Sequence, residues 1–124
     1  MIVSNVTRGT IVAAEACEAH SFTTKLFGLM GKANMANDAA LIIYHTNWIH
    51  TFWMRFALDL IYVTREGTVV GLESGLAPNR IGTPFWRAQT VIELCAGAIV
   101  ASHTELGDRL HIAGTTPAKG DSLV

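Results

Sequence analysis

The stretch His50–Val63, HTFWMRFALDLIYV, gathers the side chains most capable of chemistry. On an extended strand successive side chains point to opposite faces, which separates His50, Phe52, Met54 and Phe56 from Thr51, Trp53 and Arg55. The first set reads as core. The second puts an indole beside a guanidinium, a pair suited to gripping something flat or anionic. Asp59 follows Arg55 by four positions, and a bend over Ala57 and Leu58 lets its carboxylate brace the guanidinium or accept backbone N–H bonds itself. Trp86 and Arg87, after the irregular loop Pro78–Pro84, repeat the pairing of aromatic and cation. If the two pairs meet at one mouth of the fold, they form an apolar pocket with two cationic groups.

Glu93 lies inside the apolar run TVIELCA, where alternation puts it on one face with Val91 and Cys95. A carboxylate there is either a general base with a raised pKa or one half of an ion pair with Arg55 or Arg87. The pair is the plainer expectation, because a buried charge is tolerated mainly when it is partnered. His45 and His50 flank Thr46–Ile49. If those four residues close a hairpin, the imidazoles face each other across the ladder and, with Asp59 or Glu93, make a metal site. The spacing matches no recognised ligand motif, so two polar residues flanking a turn is the simpler reading and no cofactor is expected. Gly28–Lys32 lacks the phosphate-loop spacing and reads as a helix end followed by a turn. No G-x-S-x-G surrounds any serine. Neither Cys17 nor Cys95 has a neighbour that would make it a thiolate, and both are expected as reduced thiols.

These groups must be positioned by short strands. Runs rich in β-branched and aromatic residues, bounded by turn residues, cover Ile2–Val6, Thr10–Ala14, Leu41–His45, Ile49–Phe56, Leu60–Thr64, Thr68–Leu72, Thr90–Leu94 and Arg109–Ala113. The first two form a hairpin, and Arg65-Glu66-Gly67 is the clearest loop of another. Two short helices fit between strands, one from a Ser21 cap to near Gly28 and one over Ala98–Thr104. The expected architecture is mainly β (α+β), a compact antiparallel barrel-like or sandwich-like sheet with two short helices. Residues 1–116 read as a single domain and 117–124 as a loose tail.

Half of the 124 residues are hydrophobic and 15% are charged, so the chain can bury a core. A formal net charge of −1, with both signs scattered, argues against nucleic acid as a partner. Apolar runs such as Leu41–Tyr44 are far shorter than a membrane-spanning helix needs. The N-terminal residues lack a basic leader, so a cytoplasmic location and no membrane partner are expected.

Taken together, KLFGLMGK (Lys25–Lys32), HTFWMRFALDLIYV (His50–Val63), EGTVV (Glu66–Val70), TVIELCAG (Thr90–Gly97) and LGDRL (Leu106–Leu110) resemble the domain-of-unknown-function 192 family over Arg8–Ile112. The chain departs from the family pattern at Lys25, usually Arg, and at Ala57 and Cys95, both often Pro. The resemblance implies a small, mostly β domain found in prokaryotes. It implies no reaction, because the family carries no established activity. The family positions it points to are Gly28, Met30, Trp53, Met54, Asp59, Glu93, Gly97, Gly107 and Asp108.

The sequence therefore leads to a non-catalytic module that binds a small molecule or peptide through Trp53, Arg55, Asp59, Trp86 and Glu93. One alternative is a metal-dependent or hydrolytic enzyme using His45, His50, Asp59 and Glu93. The other is an accessory or assembly protein that captures a protein partner, or a second copy as a homodimer, along a sheet edge.

Overall fold

A computed structural model describes residues 1–18, 36–51 and 54–114. Among these residues eight strands are present: β1 (Ile2–Asn5), β2 (Thr10–Ala13), β3 (Glu15–Glu18), β4 (Ala39–Tyr44), β5 (Leu58–Val63), β6 (Val69–Leu76), β7 (Thr90–Cys95) and β8 (Leu110–Ala113). A one-turn helix α1 (Ala98–Ala101) follows β7. The strands form a three-stranded sheet, β2-β1-β8, and a five-stranded sheet, β3-β4-β7-β5-β6. All pairings are antiparallel except β3 with β4.

The mainly β class holds, as two sheets and not as a closed barrel. Val3, Val12 and Ala13 of the small sheet pack with Ile42, Ile61, Val63, Ile92 and Leu94 of the large one, and this cluster is the core between the sheets. The opposite face of the large sheet buries a second cluster, which includes Leu41, Ile43, Leu58, Leu60, Tyr62 and Val91. Covered on both faces, β5 and β7 are buried almost without a break and do not alternate, with Asp59, Thr90 and Glu93 the polar residues in otherwise apolar runs.

One short helix is present among the described residues, shorter than the expected Ala98–Thr104. The other expected helix, from Ser21 to near Gly28, lies outside the described residues, as does the tail 117–124. The expected strand Ile49–Phe56 is not formed among its described residues. Its backbone bonds to a loop instead: Thr51 N–H donates to Arg80 O at 2.8 Å, and Gly82 and Asn79 N–H donate to Ile49 and Thr51 O at 3.0 and 2.8 Å. Met54 N–H then closes a turn onto Thr51 O at 3.1 Å. Only a single bridge, His50 to Ile81, has sheet geometry. Among the described residues no helix is long and apolar enough to cross a membrane.

Candidate functional site

Three strand ends converge at one end of the large sheet. Thr90 at the start of β7 pairs with Tyr44 at the end of β4 and with Val63 at the end of β5. The residues just beyond those positions, His45, Gln89 and the Arg65 hairpin, therefore come together. Thr46 N–H donates to Gln89 O at 3.1 Å and Gln89 N–H to Val63 O at 2.8 Å, fixing Gln89 between the other two segments. Phe85 N–H donates to Asn47 O at 3.0 Å, which brings Trp86 against the Thr46–Trp48 turn.

The result is an open depression of about 640 Å³ lined by His45, Thr46, Asn47, Trp48, Arg65, Trp86, Ala88 and Gln89. Trp86 is 80% exposed and Trp48 43% exposed. An indole left to water on this scale is uncommon, since aromatic rings are normally buried or half-buried. Among the described residues Arg65 forms no salt bridge and no carboxylate lines the depression. His45 has a φ of 57°, in the left-handed region, held there by the neighbouring ladder. On its far side Trp86 also borders a smaller hollow of about 310 Å³ with Val70, Pro84, Phe85 and Arg87.

The residues singled out in sequence are distributed differently from the expectation. Trp53 lies outside the described residues. Arg55 is exposed and does not pair with Asp59. Asp59, fully buried, instead accepts backbone N–H bonds from Gly75 at 2.8 Å, Gly97 at 3.1 Å and Ile99 at 2.9 Å. It ties β6 to the start of α1, whose orphan N–H groups favour a carboxylate. This is the second of the two roles its spacing allowed.

Glu93 is buried on the other face of the sheet, between Leu41 and Leu60 in the ladder. Its carboxyl group has neither the expected Arg55 nor Arg87 as a partner, because both arginines sit exposed on loops. Burial alone pushes its pKa up to about 7. Nearby, Tyr62 donates its hydroxyl to Glu73 at 2.8 Å, and Glu73 also accepts Thr83 N–H at 3.1 Å. The Tyr62 pKa is raised, first by burial and then by Glu73.

His45 and His50 do not face each other across a ladder, since β4 pairs with β3 and β7. His50 packs edge-on to Trp48 at 6.5 Å between ring centroids. With Asp59 and Glu93 on opposite faces of β5 and β7, the four residues of the enzyme reading do not converge. Among the described residues no group of three or more His, Cys, Asp or Glu could hold a metal. Cys17 and Cys95 form no disulfide, and burial raises the Cys95 pKa, away from thiolate chemistry.

Of the expected binding residues that are described, only Trp86 lines the depression, which it shares with His45 from the metal pair. Arg65 was legible only as part of a hairpin loop, and Gln89 carried no signal. Register alone brings them there.

The fold and the depression define a small two-sheet β domain with an aromatic, cationic recess at one end of its larger sheet. The chain belongs to the domain-of-unknown-function 192 family, described as "Uncharacterized ACR", whose model matches residues 3–112. Its fold is similar to that of a protein of unknown function from Novosphingobium aromaticivorans, with a TM-score of 0.69 and 18% identity over 90% of this chain and 82% of that one. It is also similar to a provisionally assigned transcription regulator from Sinorhizobium meliloti, with a TM-score of 0.68 and 19% identity over 89% of each chain. No curated protein matches the chain.

Proposed function

We propose that this chain is a non-catalytic binding module whose small-molecule ligand sits in the depression between Trp48 and Trp86. The observation that carries the reading is the pair of solvent-exposed indoles lining one recess with Arg65, which has no acidic partner there. A volume of about 640 Å³ falls within the range of small-ligand sites, and a few polar groups among aromatic walls is their usual lining. Asp59 and Glu93 take no part in this site. Asp59 spends its carboxylate on backbone N–H groups, and Glu93 lies inside the second core cluster.

The test is thermal unfolding against a broad panel of neutral, anionic and cationic metabolites. A ligand that binds only the folded chain at about 100 times its Kd adds roughly 2.7 kcal/mol, an upward shift of roughly 10 °C for a domain of this size. The shift is expected to vanish in Trp86→Ala while the unliganded melting temperature stays close to that of the wild type. A ligand whose shift survives both Trp86→Ala and Trp48→Ala binds elsewhere and overturns the assignment.

A further inference from the structure

Resting on that reading of the depression, we infer that its ligand is a ring bearing a carboxylate. Charge comes first. The titratable side chains that line the recess are Arg65 and His45, and no Asp or Glu lines it. The Arg65 guanidinium makes no hydrogen bond or ion pair to any described residue, so its planar fork of N–H donors is free for a ligand. That fork matches a carboxylate through two parallel hydrogen bonds. A single arginine, with no helix N-terminus at the recess among the described residues, is poorly equipped for a phosphate, which gathers several cations or a cradle of backbone N–H groups.

Shape supplies the ring. The backbone bond from Phe85 N–H to Asn47 O joins the neighbours of Trp86 and Trp48, so two indoles, whose rings have few torsions to fix, meet at one recess. The Gln89 backbone is fixed by its bonds to Thr46 and Val63, and its side-chain amide, which lines the recess, can pair with a substituent on the ring. Two sources share this chemistry. An aromatic acid would stack its plane on an indole, and a uronic acid would lay the C–H face of its sugar ring there.

The experiment follows the indole N–H signals of nitrogen-15-labelled full chain by NMR, with the peaks assigned from Trp48→Phe and Trp86→Phe. The probes are benzoate and galacturonate, their uncharged counterparts benzamide and galactose, and the ringless anions acetate and phosphate. Saturable shifts of the Trp48 and Trp86 signals by benzoate or by galacturonate are expected, and which of the two acts identifies the source. The uncharged counterpart should bind at least about tenfold more weakly, and acetate and phosphate should not saturate. Arg65→Gln should bring the acid down to the affinity of its uncharged counterpart and leave the latter unchanged. Equal binding of acid and counterpart, or saturation by acetate or phosphate, overturns the ring-carboxylate class while leaving the depression as a site. Silence of both indoles to all six probes also overturns the class. The depression itself falls only if the broader metabolite panel is silent too.

Discussion

Arg8 grips Asp108 across 100 residues of chain, with Nε donating to Oδ2 at 2.9 Å and Nη2 to Oδ1 at 3.1 Å. Asp108 also accepts Asn5 Nδ2 at 3.0 Å and Glu105 N–H at 2.9 Å, so one carboxylate joins the first hairpin to the turn before β8. The small sheet, β2-β1-β8, depends on this junction because its strands come from both ends of the described chain. The hydrogen bond from Arg8, above all, holds the Asp108 carboxyl at about 2, below its ordinary 3.8.

A pH dependence follows with a definite sign. A carboxyl whose folded pKa is depressed contributes stability that is present above the unfolded value and lost as pH falls through the folded one. The contribution of Asp108 should therefore be complete above about pH 3.8 and fade toward pH 2. Asp108→Asn should show a lower urea midpoint than the wild type at neutral pH and converge with it near pH 2. Parallel curves throughout that window would sink the assignment.

Glu93 gives the opposite slope. Its folded pKa is raised from 4.5 to about 7, so the folded state holds the proton more tightly than the unfolded chain. Stability should be highest below about pH 4.5, decline as pH rises to about 7, and level off beyond it. At about 1.4 kcal/mol per pKa unit the loss is at most about 3.5 kcal/mol. Glu93→Gln, which mimics the protonated form, should match the wild type near pH 4 and exceed it above pH 7 in denaturant titrations. A variant that loses stability equally at every pH would show that the charged form is accommodated.

Asp59 separates structural from ligand-binding roles. Asp59→Asn keeps the volume but turns one acceptor into a donor facing the N–H groups of Gly97, Ile99 or Gly75. Leaving buried donors unsatisfied should cost about 2–4 kcal/mol of unfolding free energy. Once folded, the variant should bind any ligand of the Trp86 depression with unchanged affinity. Normal stability with lost binding would return Asp59 to the binding site.

Much of the frame was legible because local pattern and tertiary need agree. Leu58–Val63 is apolar but for Asp59 and is buried on both faces, and Arg65-Glu66-Gly67 turns between β5 and β6, with Gly67 at a φ of 92° that favours glycine. The failures have one cause, which is backbone bonding that side-chain character does not encode. Glu15–Glu18, with two acids and an alanine, has little strand character yet pairs in parallel with β4. Ile49–Phe56 has strand character, but the 79–82 loop takes its backbone groups. The site follows the same rule. Trp86 and His45 stood out by residue type, whereas Arg65 and Gln89 join them only through the Val63–Thr90–Tyr44 register.

The position of Trp86 itself rests on a glycine. A Cβ at Gly71 of β6 would come within 2.5 Å of the Phe85 ring, which packs over that strand and against Tyr62 at 4.4 Å between centroids. Phe85 carries Trp86 as its neighbour and donates its own N–H to Asn47, so displacing the ring moves one wall of the depression against the other. Gly71→Ala should cost about 1–3 kcal/mol by overpacking and weaken binding at the depression as well. Adding Phe85→Leu should recover most of the stability, because the smaller side chain makes room for the methyl group. It should not restore binding, since the support beneath Trp86 is then gone. Denaturant midpoints and ligand titrations on both variants separate the two effects. A Gly71→Ala chain that is as stable as the wild type and binds as tightly would show that the Phe85 ring does not hold Trp86 in place.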